Sequence, residues 1–535
     1  MRMASSTKQF SPSAAVRLST LSRHINSSSM SAKPASSETT PVQAAGLEDS
    51  VLYQSSGSTR TYRLNRPKKL NSLNQEMITS MYNKVKTWRD SELVQVIIGT
   101  GEGRAFCAGG DVAQLIIDLK EGKDTPVKFF KSEFELNWLL GKLKKPYIAV
   151  MDGVVMGGGA GISLPASIRI ATPNTIFAMP ETNIGYSPDV GSHYYLAQLD
   201  GQIGAWLAVT GQNVYGRAAY ELGIATHYVP SASIAPILHQ ITHHTGSDLN
   251  TTALSRIVSS YHLPSSGSSA PSSKSSPDGP SSIKGDIRVF IDQVFSQSQV
   301  KDIYDSIVAA IDSQELSEEV KEWAKEQKEI MDKRSPTGMA VALEGFRRAK
   351  QEKKLDKVLL NDFAMATSFS GPKRPTDDFI IGVSQVLLEK DKTKKSLRPS
   401  WSPTSISEIS QSYVDQFFSQ PHKRSFKLSD TPNESDQSEL MFDPVPRNHT
   451  PDSTWGQFRF LGLPSERELQ DRIRGASPSS GAYALTEKEL TEQMLDDVGE
   501  NGGSRQDEFL ERIKEVLKRK CKRDDDGNLK WVGKE

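Results

Sequence analysis

Three segments of this chain carry the residue types that acyl chemistry needs. The first, Arg104-Ala105-Phe106-Cys107-Ala108-Gly109-Gly110-Asp111, follows the apolar run 94–98. The second, Asp152-Gly153-Val154-Val155-Met156-Gly157-Gly158-Gly159-Ala160-Gly161, follows the apolar run 147–151. Each reads as a glycine-rich turn between a buried strand and a helix, where backbone N–H groups converge with no side chain in the way. The positive end of a helix favours charge building up on a nearby acceptor. Two amides aimed at one carbonyl make an oxyanion hole, in which each donor is typically worth about 10²–10³ in rate. The third segment, from Phe177 to Gly191, sets Glu181 and Asp189 eight residues apart across turn residues. A chain folding back there presents both carboxylates to one pocket, one to attack or activate water and the other to move protons.

Taken singly, each feature also has a plain reading. A glycine run is a tight turn, Asp189 caps the next helix, and Glu181 sits in a solvated turn. A nucleotide loop is set aside, because the glycines match neither G-x-G-x-x-G nor G-x-x-x-x-G-K-[ST].

The elements that position these segments alternate between strand and helix. Thr61–Leu64 is a short strand candidate, and Asn74 can cap a helix whose apolar residues Met77, Ile78, Met81, Tyr82, Val85 and Trp88 recur at helical spacing. Val94–Ile98, Tyr147–Met151 and Ser167–Ala171 are buried-strand runs. Strands separated by helices imply βαβ crossovers and an α/β core. Helices are expected again over Ile283–Phe295, Ser317–Lys333, Gly338–Ala349 and Asp377–Leu388.

The 535 residues divide into three regions. Residues 1–45 have no acid before Glu38, scattered Arg and Lys, and many serines, the composition of a mitochondrial transit peptide. Residues 46–420 form the domain that bears the motifs, interrupted at 264–282 by a Ser/Pro/Gly tract read as a flexible insertion. Residues 421–535 are a polar extension with an aromatic cluster from Trp455 to Leu463 and a lysine-rich amphipathic helix over Glu508–Arg523. Lys and Arg total 65, as do Asp and Glu, a balance that argues against a dedicated nucleic-acid binder. Two distant cysteines, Cys107 and Cys521, make neither a disulfide framework nor a zinc site. No apolar run approaches the roughly 20 residues of a membrane span. His193, His227, His243 and His244 lack ligand spacing and read as surface or packing residues.

Ala-Phe-Cys-Ala-Gly-Gly-Asp, Met-Gly-Gly-Gly-Ala-Gly and Ala-Met-Pro-Glu-Thr, the last followed by Ser-Pro-Asp-Val-Gly, stand here in an order and spacing that resemble the crotonase (enoyl-CoA hydratase/isomerase) superfamily. The 3-hydroxyisobutyryl-CoA hydrolases are the most similar branch. The likeness runs from about Val51 to Val229 and resumes at Ser335–Thr337, Asn361–Phe363, Asp377–Val383 and Trp401.

The resemblance implies a ClpP/crotonase-like spiral of ββα units with a C-terminal helical region. It implies that the amides of Gly110 and Gly158 hold a thioester oxygen and that Glu181 and Asp189 are the catalytic acids. Glu133 matches a glutamate that contacts substrate in the family. The implied reaction is hydrolysis of 3-hydroxyisobutyryl-CoA in valine catabolism, in the mitochondrial matrix, with no metal or redox cofactor. Crotonase folds also often form trimers or pairs of trimers, so a homo-oligomer is an expected partner state. The superfamily's hydratases use a second glutamate after the glycine triplet, where this chain has Gly161, which weakens a hydratase or isomerase reading. Two positions depart from the hydrolase pattern: Ile381 replaces a glutamate, and Ser192 replaces a glycine. A rival role is also implied, since some mitochondrial members are components of the small ribosomal subunit. Residues 421–535 would then contact protein or RNA.

Overall fold

The computed structural model describes residues 49–244, 249–264, 279, 281–419, 461–477, 484–498 and 505–533. The transit-peptide expectation, nearly all of the 264–282 tract and Trp455–Phe460 lie outside these residues.

Two sheets carry the domain, and they are wound together by paired strands. The larger contains β1 (Val51–Ser56), β2 (Thr59–Leu64), β3 (Val96–Gly101), β5 (Tyr147–Met151), β7 (Ile168–Ala171) and β10 (His227–Tyr228), in that order. After the β1–β2 hairpin every neighbouring pair in this sheet is parallel. The smaller sheet contains β4 (Ala105–Cys107), β6 (Val154–Met156), β8 (Ile176–Ala178) and β9 (Val214–Tyr215). Three times the chain runs up a strand of the large sheet, turns, and adds a short strand to the small one: β3 then β4, β5 then β6, β7 then β8. This is a crotonase-like spiral of ββα units, with helices following from Gly285 to Ser370.

The strand runs read from apolar sequence are present because they are buried on both faces. Ile97 packs into the main core and Ile98 into a second cluster with Ile148, Ile168 and Ile170. The helix Gln75–Asp90 begins as its sequence predicts, with Asn74 accepting from the Met77 N–H and Met77, Ile78, Met81, Val85 and Trp88 buried. The predicted helices at 283–295, 317–333 and 338–349 are found at Gly285–Val294, Glu318–Met331 and Pro336–Glu352. The expected 377–388 helix is α-helical only over Asp378–Val383 and continues as a π turn over Ser384–Leu388. There the Ser384 hydroxyl bonds the Ile380 carbonyl and competes with the ladder.

The described parts of the C-terminal region pack onto this domain. Leu461 joins the second core cluster, and Leu463 packs against the cluster of Tyr220 and Tyr228. The helix Gln506–Lys520 buries Phe509, Ile513, Val516 and Leu517. Its first turn carries Glu508, whose carboxylate pairs with Arg217 at 2.8 Å and His262 at 2.9 Å. Arg505 donates to the Tyr220 hydroxyl, the Ser259 hydroxyl and the Leu461 carbonyl. Glu466 lies among Arg288, Arg519 and Lys520, whose charges hold its carboxyl down at about 2 against the opposing effect of burial.

Candidate active site

Adjacency in the small sheet explains how distant motifs meet. β4, β6 and β8 are parallel neighbours, in register at Ala105↔Val154 and Val154↔Ile176. Their C-terminal ends therefore open side by side, and each strand feeds one motif: β4 leads to Gly109-Gly110, β6 to Gly157-Gly158, and β8 to Glu181. Ligands of open α/β sheets commonly sit beyond such strand ends.

The two glycine turns touch. A side chain on Gly109 would reach 3.5 Å from the Met156 carbonyl oxygen and 3.8 Å from the Gly158 nitrogen. Gly110 is held by a bridge to Leu73, in which the Leu73 N–H donates to Gly109 O and the Asp111 N–H to Leu73 O. The Gly110 N–H itself has no hydrogen bond among the described residues. Gly158 opens the helix Gly158–Ser163, so its N–H has no intrahelical partner and it too is unpaired. Gly157 must stay glycine, because its φ is +49° and a Cβ there would lie 2.9 Å from Glu181 Oε1. A Cβ on Gly158 would collide with Glu133 Oε1.

Three carboxylates thus converge on the amides. Glu133 projects from the helix Thr125–Gly141, Glu181 from the 3₁₀ turn Pro180–Ile184, and Asp189 from the loop that follows. All are buried. Glu133 Oε1 and Glu181 Oε2 have no hydrogen-bond partner, and neither polar atom of the buried Asn137 side chain has one. Buried polar groups are rarely left so. Burial pushes the Glu181 carboxyl up to about 8, and burial with the nearby Glu181 charge does the same to Glu133. Asp189 is raised well above the carboxylate range by burial, then by Glu133 and Glu181. Among the described residues no group of three or more His, Cys, Asp or Glu could hold a metal ion.

All five sequence-predicted residues, Gly110, Glu133, Gly158, Glu181 and Asp189, lie in this one region. The capping reading of Asp189 is replaced: Gly191 precedes the helix Ser192–Leu196, and Asp189 Oδ2 accepts from the Tyr186 hydroxyl at 3.1 Å. Sequence reasoning gave no role to Tyr186, Asn137 or Asp362. Asp362 Oδ2 accepts the Gly191 N–H at 2.7 Å, which braces the turn where Val190 holds φ +53°. A β-branched residue in that conformation is strained and persists only where its surroundings fix it. Tyr186 lies inside a quoted motif, so its hydroxyl was a visible signal; the Asp362 contact spans 171 residues and was not. His193 is buried beside Asp362 and His227 is buried with bonds to Thr226 and Ser255, so both are packing residues.

Gly161 stands where the resemblance to the superfamily leads one to look for the hydratases' second glutamate. Here a Cβ would lie 2.6 Å from Val190 Cβ and 2.8 Å from Asn137 Nδ2. That space is already filled. Gly161→Ala is therefore expected to destabilise the protein by about 1–3 kcal/mol, the usual range for overpacking. Equal urea midpoints for the two proteins would show that the pocket has slack.

Two glycine turns at parallel strand ends, next to buried acids in a ββα spiral, place the chain in the crotonase class. The model for the enoyl-CoA hydratase/isomerase family matches residues 59–418, and the chain belongs to that family. It is 34% identical over 389 residues to the mitochondrial 3-hydroxyisobutyryl-CoA hydrolase of Danio rerio, covering 72% of this chain and 92% of the relative. It is 35% identical over 377 residues to the small ribosomal subunit protein mS47 of Neurospora crassa, covering 69% of this chain and 70% of that protein. Among solved structures, a carnitinyl-CoA dehydratase from Mycobacterium thermoresistibile aligns with a TM-score of 0.57 at 28% identity, over 70% of this chain and 97% of that one.

Proposed function

We propose that this protein is an acyl-CoA thioester hydrolase that splits 3-hydroxyisobutyryl-CoA, or a close 3-hydroxyacyl-CoA, in the mitochondrial matrix. The observation that carries the reading is the meeting of the unpaired Gly110 and Gly158 amides with Glu181, while Val190 and Asn137 fill the space beside Gly161. The two amides polarise the thioester carbonyl and stabilise its oxyanion. Glu181 delivers the attack, either by deprotonating a water that adds to the carbonyl carbon, or through its own carboxylate to form an acyl–glutamyl anhydride that water then cleaves to free acid and restored Glu181. The C–S bond breaks, and the CoA thiolate leaves with a proton. Asp189, whose neutral form burial and the neighbouring Glu133 and Glu181 favour, supplies that proton and contacts the substrate hydroxyl. Glu133 lines the acyl side. The relatives named as hydrolases, and the word mitochondrial in their names, support substrate and location.

Purified protein given 3-hydroxyisobutyryl-CoA is expected to release free thiol, and crotonyl-CoA to remain unhydrated. Absence of thiol release, or hydration in its place, would reject the reading. A base whose pKa lies near 8 must ionise to act, so kcat/KM is expected to rise with pH and level off above about 8. A profile flat from pH 6 to 9 would remove Glu181 from that role.

One observation favours a second reading, a component of the small mitochondrial ribosomal subunit. The ribosomal relative, like this chain, extends well beyond the matched region, whereas the hydrolase relatives are covered almost end to end. Sedimentation of a mitochondrial lysate tests it: co-migration with small subunits supports the ribosomal role, and recovery only in the soluble fraction removes it.

A further inference from the structure

A second cavity, of about 110 Å³, lies where the segment Gly462–Ser465 meets the sheet domain. Leu164, Leu199, Leu222 and Leu463 supply apolar wall, and Arg169 and Tyr195 supply the polar groups. None of these residues takes part in the carboxylate site.

Arg169 sits on β7 between Ile168 and Ile170. Those two face the second core cluster, so strand alternation sends Arg169 to the opposite side. Its Nε donates to the Ile224 carbonyl at 2.6 Å and its Nη1 to the Ala166 carbonyl at 2.8 Å, which fixes the guanidinium plane. Its Nη2 has no hydrogen bond, and no described carboxylate pairs with it. The Tyr195 hydroxyl is likewise without a hydrogen bond among the described residues. Burial draws the Arg169 pKa down to about 10, the mark of a cation short of compensation.

The other charges on the wall do not answer it. Asp200 pairs with Arg512. Glu221 accepts the Ser281 N–H at 2.7 Å, and burial raises its pKa toward the neutral form. The cavity therefore presents one unmatched guanidinium nitrogen, Arg169 Nη2, and the Tyr195 phenol above an aliphatic floor. A charged N–H donor beside a hydroxyl donor suits the two oxygens of a carboxylate. As for size, a cavity of roughly 150 Å³ accommodates benzene, so a somewhat smaller body with a short branched chain is the fit.

We propose that this cavity binds a small aliphatic monocarboxylate, with its carboxylate on Arg169 Nη2 and the Tyr195 hydroxyl and its alkyl group against Leu164, Leu199, Leu222 and Leu463. The site is independent of the hydrolase reading, since no residue is shared.

Isobutyrate is the probe, titrated into the full chain by calorimetry, with isobutanol as the uncharged control. Saturable binding is expected for isobutyrate and none for isobutanol. Tyr195→Phe is expected to weaken binding several-fold, and Leu199→Trp, which fills the space, to weaken it at least tenfold, with melting curves confirming that both variants are folded. Arg169 also braces two carbonyls, so its own replacement is less informative than these two. Binding is expected to persist in Glu181→Gln. The proposal is overturned by no saturation at about 10 mM, beyond the millimolar range expected for so small a ligand. It is overturned equally by binding that both cavity variants retain, by isobutanol binding as well as isobutyrate, or by loss of binding in Glu181→Gln, which would place the ligand among the carboxylates.

Discussion

Replacing Glu181 by glutamine is expected to lower kcat/KM for thioester hydrolysis by about 10²–10⁴, the contribution of a positioned acid or base, while the fold becomes more stable at neutral and alkaline pH. The two effects share one cause. Glu181 Oε2 is buried without a partner, and so is Glu133 Oε1. Both carboxyls are pushed up to about 8 in the folded chain, against about 4.3 for glutamate in an unfolded one. Between those values the folded protein holds protons that the unfolded chain has released. Stability therefore falls as pH rises from about 4.5 to about 8, and above that it stays at its reduced level. The amide variant keeps the shape without the ionisation, so its urea midpoint should change less between pH 5 and pH 8.5. Undiminished thiol release by Glu181→Gln would take that side chain out of the chemistry altogether.

Glu508→Ala is expected to cost about 3–5 kcal/mol of stability, the range for breaking a buried ion pair from one side. Glu508 is 8% exposed, and its partners Arg217 and His262 are buried as well. Its removal takes from the buried Arg217 guanidinium the carboxylate it pairs with at 2.8 Å. Adding Arg217→Met to Glu508→Ala should recover part of the loss, because the stranded charge is then gone. Urea titration measures both. A change under about 0.5 kcal/mol, the size usual for surface substitutions, would mean that the terminal helix does not close on the domain in solution.

How far the sequence foretold this depends on range. β3, β5 and β7 were legible as continuous apolar runs because they are buried on both faces. β4, β6 and β8 have three residues each, too few for any periodicity, and the sequence shows them only as parts of the motifs they carry. Gly110, Gly158, Glu181 and Asp189 could be named because they sit in glycine- and acid-bearing segments, whereas Glu133 is named from the family resemblance alone, since by itself it reads as a solvated helix face. The supports of these residues could not be named. Asp362 reaches Gly191, and Glu508 reaches Arg217 across 291 residues, and no local pattern announces either. The polar composition of the C-terminal region likewise gave no sign of which residues it would meet. Its described charges meet partners on the sheet domain, such as Asp200 with Arg512 and Arg288 with Glu466.

That pairing of early residues with late ones bears on how the chain reaches its native state. Arg217, Tyr220 and His262 emerge during synthesis long before Arg505 and Glu508 exist, so one side of the nascent domain must wait with its charges open. Contacts of such sequence separation slow folding and lengthen the life of sticky intermediates. Closure of this face therefore waits on the late segment, and a chain cut before Arg505 should be a client of chaperones and proteases rather than a smaller working copy.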